Sequence, residues 1–364
     1  MDIKISEKSL RQFLKTKANT NEIISALTQC GPTVDRFHKT GDDTIFEIES
    51  ITNRIDTASV FGIARDCNAI LQQMNIESKL ENSPYNTKLI DDKNQRAKLN
   101  ITIPNPDLVI RFTASTFENC QIKTSPKETQ ELLNNSDQRP LNNLIDITNE
   151  LTLLYGLPTH VFDLDKLAIQ SLTIRQAKSG EVITTLDDQK NKLEDSDIVI
   201  EDGNGRIVDL CGVMGGQIAE VDEHSKNILF IAPVYNPKNI RQTSLRIQKR
   251  TLASQIYEKS PDPELTPYIL ALGSQMIKDR TGGHLSSKIF DYYPQPIKTI
   301  PVVLHLNWLK NFSGIEIPDT SINQILQNLG FTKITIKDRE LSCLPPSFRA
   351  KDISLREDLA EEII

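Results

Sequence analysis

The spacing of apolar and polar positions divides the chain into three stretches. In residues 1–80, Leu10, Phe13 and Leu14 recur at helical spacing and predict a short helix. Asn19 followed by Glu22 has the form of a capping box, predicting a second helix with Ile23, Ile24 and Leu27, stopped at Gly31–Pro32. Ile45, Phe46, Ile48 and Ile51 alternate partially, as in a strand, and Ser59 to Met74 returns to helical spacing. Residues 81–100 hold few large apolar groups and read as a linker or exposed hairpin, so a boundary is expected there. In 81–296, strand-like runs (ITI, LTIRQA, DIVIED, GRIVDLCGVM, NILFIAPV) are interrupted by helical spacing near 127–136 and 261–279, with no strict βαβ rhythm. After Pro294, Pro296 and Pro301, residues 297–364 read as strand (VVLHL), helix (SINQILQNLG, closed by Gly330), hairpin (KITIKDRELSCL) and a final acidic helix. The expected fold class is α+β and multidomain: a small α+β module at 1–80, a mixed α/β module at 81–296 and a compact third unit at 297–364.

Composition narrows the classes of function. A length of 364 residues suits two or three domains. Lys plus Arg number 42 against 49 Asp plus Glu, a net charge of −7, which argues against coating nucleic acid by charge alone and leaves only a local basic patch. The five cysteines, Cys30, Cys67, Cys120, Cys211 and Cys343, form no CxxC pair, which excludes a zinc ribbon. Their odd number suits a reducing, cytoplasmic compartment better than a disulfide scaffold. The opening MDIKISEKSL has no apolar core of a signal peptide, and no run of about 18 apolar residues predicts a membrane span.

Three constellations carry candidate chemistry. RPLNNLIDITNE at 139–150 and GLPTHVFDLD at 156–165 place Arg139, Asn142, Asn143, Asp146, Thr148, Asn149 and His160 around a short apolar run. Asn and Thr can orient a carbonyl or water, and His160 can exchange a proton near neutrality. Helix capping by the Asn pair explains the same pattern. GVMGG at 212–216 can bring backbone N–H groups close to an oxyanion, or can be a tight turn with glycine packing. It is not GxGxxG, so dinucleotide binding is excluded. In SFRAKDISLREDLAEEII, Ser354 and Glu357 have capping-box spacing, and Asp358, Glu361 and Glu362 share one helical face with Asp352 just before it. Clustered carboxylates suit a hard cation such as Mg²⁺, or are a solvated helix start. There is no GxSxG elbow, HExxH or P-loop.

These residues, in order along nearly the whole chain, resemble the β subunit of bacterial phenylalanyl-tRNA synthetase. The resemblance runs through TNRIDTASVFGIARD (52–66), RPLNNLIDITN with THVFDLDKL (139–167), TTLDD, IVIEDGNG and CGVMGG (184–216), NPKNIRQTSLR (236–246), RTLASQIYEKSPDP (250–263) and LPPSFRAKDISLREDLAEEI (344–363). It implies a first structural module at 1–80, a tRNA-editing module at 81–296 that hydrolyses tyrosine wrongly attached to tRNA(Phe), and a winged-helix-like module at 297–364. The partner would be the α subunit of an α2β2 heterotetramer in the cytoplasm. That subunit would use ATP to attach phenylalanine to tRNA(Phe). Carried over by position, Thr148, Asn149, His160 and Gly212 match the editing site. Asp352, Asp358, Glu361 and Glu362 match a Mg²⁺ site shared with the α subunit. No protein nucleophile is implied.

Three departures from the resemblance matter. Val34 runs to Ile45 without the inserted tRNA-binding barrel of many relatives. Relatives continue past the position of Ile364, so a fragment is expected. Ile231 stands where relatives usually have the Glu that reads the tyrosine hydroxyl. A hydrogen bond to a charged group contributes roughly 1.5–3 kcal/mol, so its loss should erode tyrosine-over-phenylalanine selectivity by roughly 10- to 150-fold. The expectation is therefore an editing fold with weakened selectivity. The alternative is an assembly module with a decayed pocket. A free-standing nucleic-acid-binding protein is disfavoured by the charge of −7.

Overall fold

The computed structural model describes residues 1–90, 99–167 and 171–364. The architecture is α+β and multidomain, as the patterning implies. Two compact units form: Met1–Asn82 together with Pro296–Ile364, and Ser83–Gln295. The terminal stretches, expected as separate modules, thus share one unit. A buried charge network links the two stretches. Asp56 binds Arg54 and Arg65; Arg349 binds Asp352 and Glu362; and Asn53 donates to Asp352 at 2.6 Å. The Arg65 guanidinium also lies 3.7 Å from the centre of the Phe348 ring. Residues 53–65 and 348–362 therefore hold each other across the chain.

In that unit, Asp43–Glu49 is the middle strand between Asp2–Ser6 and Val34–Thr40, all antiparallel. The Asn19–Glu22 capping box forms and starts the helix Thr20–Cys30. Leu14, expected on the first helix, instead opens the strand Leu14–Thr16, because Ser78–Leu80 pairs with it. Ile51 lies beyond its expected strand and is exposed. A second antiparallel sheet (Val302–His305, Glu340–Leu344, Thr332–Lys337) packs against the helices Leu306–Ser313, Asp319–Asn328 and Arg356–Ile363. The final helix does not use Ser354 and Glu357 as its capping box. Asp358 reaches back instead, accepting from Ser354 N at 2.9 Å and Leu355 N at 2.8 Å.

Among the described residues, the unit Ser83–Gln295 holds a two-stranded sheet, Val182–Thr184 with Lys190–Lys192, and two sheets of five strands each. One runs Met214–Gly215, Ile207–Leu210, Ile198–Asp202, Ser171–Gln176, Asn100–Thr102, the last pair parallel. The other pairs His284–Leu285 and Phe290–Tyr292 with Val109–Glu118, then Ile228–Tyr235, then His160–Asp163, antiparallel throughout. Ile228–Tyr235 is buried on both faces, which is why NILFIAPV is continuously apolar. Leu229, Ile231 and Tyr235 join a core with Phe112 and Phe162, while Ile228, Phe230, Ala232 and Val234 pack with residues of the helices Asn143–Tyr155 and Thr266–Thr281. Residues 91–98, inside the expected linker, lie outside the described residues.

Candidate active site

The expected site residues lie in the unit Ser83–Gln295, where local chemistry positions each of them. The helix Asn143–Tyr155 begins because the Asn142 side chain accepts from Leu144 N and Ile145 N, and it ends at Gly156 in the left-handed region. Asn142 is thus a cap. Asn143 is tied to the backbone of Gln121, Lys123 and Arg280, and Asp146 to Ser125 and Leu141 N. These three are structural. Thr148 is buried, and its hydroxyl donates to Ile145 O at 2.7 Å. Its carbonyl accepts from Thr159 Oγ1 at 3.4 Å, which brings the helix to the residue before His160. Asn149, the next residue along the helix, is half-buried.

His160 opens the strand His160–Asp163 and is the register partner of Ile231. Its ring meets Phe162 edge-on at 4.6 Å. Burial pushes its pKa down to about 4, so the imidazole is neutral at physiological pH. It can then offer one N–H and one lone pair, but no positive charge.

The glycine turn is both a tight turn and a close approach. Gly212 has φ +68°, and a Cβ there would meet Ile240, Tyr257 and Tyr235 at 2.9, 3.0 and 3.3 Å. A Cβ at Gly215 would stand 2.9 Å from His160 Nε2. The Tyr257 hydroxyl donates to Pro158 O at 2.6 Å, linking the Gly212 turn to the segment before His160. Thr148 and His160 thus meet at residues 158–160, with Gly215 closing on the imidazole and Gly212 joined to Pro158 only through Tyr257.

Other side chains of this site escaped the sequence reading. Tyr235 and Tyr257 pack edge-on at 5.3 Å behind Gly212. The Tyr235 hydroxyl is buried beside the Cys211 thiol. Burial pushes Asp209 up to about 8, against a Cys211 hydrogen bond that lowers it, and pushes the Cys211 thiol well up. An acid inside the apolar run GRIVDLC was the available signal. Ile231 is 1% exposed, and its apolar side chain belongs to the core that includes Phe162 and Tyr235.

The carboxyl-terminal acids are arranged otherwise than a metal site requires. Arg349 takes both oxygens of Glu362 and Oδ2 of Asp352. Asp358 caps its own helix, and Glu361 is exposed. Among the described residues, no three His, Cys, Asp or Glu side chains gather so as to hold a metal ion. As placed, Asp352, Asp358, Glu361 and Glu362 do not fit Mg²⁺, which prefers near-octahedral oxygen ligation. Among the described residues, no helix is long and apolar enough to cross a membrane.

Comparison with known proteins places these features. Residues 108–282 match the B3/4 domain family, and residues 302–364 match the tRNA synthetase B5 domain family. The chain is 34% identical over 326 residues to a phenylalanine–tRNA ligase β subunit of Carboxydothermus hydrogenoformans, covering 88% of this chain and 39% of the relative. It is 33% identical to that of Clostridium acetobutylicum (88% and 40%) and 31% identical to that of Staphylococcus haemolyticus (95% and 42%). The chain thus spans about two fifths of the length of these curated relatives. In fold it is similar to a crystal structure of an N-terminal fragment of the phenylalanyl-tRNA synthetase β subunit from Pyrococcus horikoshii. The TM-score is 0.54 at 14% identity, covering 100% of this chain and 98% of that one.

Proposed function

We propose, since this chain belongs to the family of phenylalanine–tRNA ligase β subunits, that residues 83–295 hydrolyse aminoacyl esters wrongly formed on tRNA(Phe). The observation that carries this reading is the meeting of Thr148 and His160 at residues 158–160, Gly212 joined through Tyr257, with Gly215 pressed against a neutral imidazole. In ester hydrolysis water attacks the carbonyl carbon, the C–O bond to the tRNA ribose breaks, and the ribose oxygen takes a proton. A neutral His160 accepts a hydrogen bond from the water and so aims its oxygen. The Gly212 N–H is the one offered to the developing oxyanion, because those of Cys211, Val213 and Gly216 bond to backbone carbonyls. Asn149, beside Thr148, holds the tRNA 3′ end. Around this site the chain works in the cytoplasm as part of an α2β2 ligase, in which the α subunit binds ATP and phenylalanine.

One observation favours a second reading. Ile231 puts a buried, apolar side chain opposite His160, so a hydroxylated substrate gains no hydrogen bond there. On that reading the pocket has decayed and assembly with the α subunit is the remaining role. Deacylation of Tyr-tRNA(Phe), beside Phe-tRNA(Phe), by the wild-type chain and a His160→Ala variant decides between them. Hydrolysis of the tyrosyl ester that the variant loses supports the hydrolytic reading. Equal rates for the two proteins, both shown to be folded, refute it.

A further inference from the structure

The acidic carboxyl-terminal segment asks for a cation, and the cation is already present in the chain. We propose that the guanidinium of Arg349 is the resident counter-ion of Asp352 and Glu362, and that this unit assembles its last helix without a divalent metal. Arg349 is 3% exposed, at the end of the short turn Ser347–Arg349. Its Nε donates to Asp352 Oδ2 at 2.7 Å, its Nη1 to Glu362 Oε2 at 3.0 Å and its Nη2 to Glu362 Oε1. The remaining oxygen, Asp352 Oδ1, accepts from Asn53 at 2.6 Å. All four carboxylate oxygens are thus engaged, two of them by the forked geometry that suits a planar guanidinium.

Two further guanidiniums stand in the same network. Arg54 and Arg65 lie in the same network with Asp56 and Asp66, so three guanidiniums face four carboxylates. A metal chelated by both oxygens of Glu362 would have to displace the Arg349 fork. That would strip a buried guanidinium of its forked partner beside two others, a strongly destabilising arrangement. Nothing in this inference depends on the hydrolytic reading of residues 83–295.

The test is thermal unfolding of the 364-residue chain after exhaustive EDTA dialysis, with and without excess MgCl2. The expected midpoints agree within about 1 °C, since a ligand that does not bind the folded state does not stabilise it. An Asp352→Asn/Glu362→Gln double variant should melt lower by about 5 °C or more in either buffer, because its guanidinium is unpaired. A rise of several degrees with Mg²⁺ in the wild type overturns the proposal. So does a double variant that melts like the wild type, or a stoichiometric Mg²⁺ binding heat in a calorimetric titration of the wild type. Should the double variant fail to fold, the wild-type melts and the titration decide alone.

Discussion

Replacing Gly215 by Ala isolates the contact on which the candidate site depends. Gly215 is not in the left-handed region, so Ala suits its backbone and the whole effect falls on the added methyl. That methyl would meet His160 Nε2 at 2.9 Å, Leu186 Cδ1 at 3.0 Å and His160 Cε1 at 3.1 Å. The Leu186 tip can move aside. The imidazole has less room, since its strand is registered to Ile231 and its ring is braced against Phe162. Gly215 is itself paired to Asp209. The ring must therefore give way by about 0.5 Å to restore ordinary van der Waals contact. Overpacking of this kind costs about 1–3 kcal/mol of stability. Displacing a positioning group by a sizeable fraction of an ångström lowers the rate of an oriented reaction by up to about 100-fold. Single-turnover deacylation of Tyr-tRNA(Phe), urea unfolding and an NMR titration of His160 measure the three consequences. In the wild type, His160 should titrate near 4, and between that value and its ordinary pKa of about 6.5 the unfolded chain binds the extra proton. His160 therefore destabilises the fold as pH falls from about 6.5 to 4. A Gly215→Ala variant with wild-type stability, an unmoved His160 resonance and an unchanged rate would refute the contact as argued.

Two further perturbations probe the pocket. Asp209, raised to about 8 by burial, keeps in the folded state a proton that the unfolded chain releases above pH 4. Its contribution is complete below about pH 4 and is lost as pH rises towards 8. Asp209→Asn should therefore gain on the wild type across that window, by up to about 4 kcal/mol at pH 7, and the two should converge in acid. Urea unfolding from pH 4 to 8 measures the gap, and a gap independent of pH contradicts the buried neutral acid. Ile231→Glu should raise the hydrolysis of Tyr-tRNA(Phe) relative to Phe-tRNA(Phe) by about 10- to 150-fold. An unchanged ratio in a folded variant would mean that the side chain opposite His160 does not read the substrate.

What the sequence discloses depends on how far apart the interacting residues are. The Asn19–Glu22 capping box is legible because donor and acceptor lie three residues apart. The strand Ile228–Tyr235 is legible because burial on both faces leaves an unbroken apolar run. Leu14 misleads because the strand that captures it, Ser78–Leu80, lies more than sixty residues on. Ser354 and Asp358 mislead differently: two capping schemes compete within five residues, and the carboxylate that reaches two backbone N–H groups prevails. At the candidate site each residue type is visible, but the approach of Gly215 to His160 is a tertiary fact with no local trace.

The carboxyl-terminal acids mark the limit of what residue types alone can say. Asp352, Asp358, Glu361 and Glu362 state in sequence that negative charge must be balanced, and an ion is the most direct inference. The fold supplies a different answer from within the same segment. Arg349 stands three residues before Asp352 and thirteen before Glu362, and the turn at Ser347–Arg349 aims its fork at both. One further hydrogen bond, to Asp352 Oδ1, comes from Asn53, some three hundred residues earlier, beside the Arg54 and Arg65 pairs with Asp56. Like-signed clusters in a sequence specify the sign of the missing charge. Whether a metal or a guanidinium supplies it is decided by which donors the chain brings to those oxygens, and here each of the four oxygens of Asp352 and Glu362 accepts from Arg349 or Asn53.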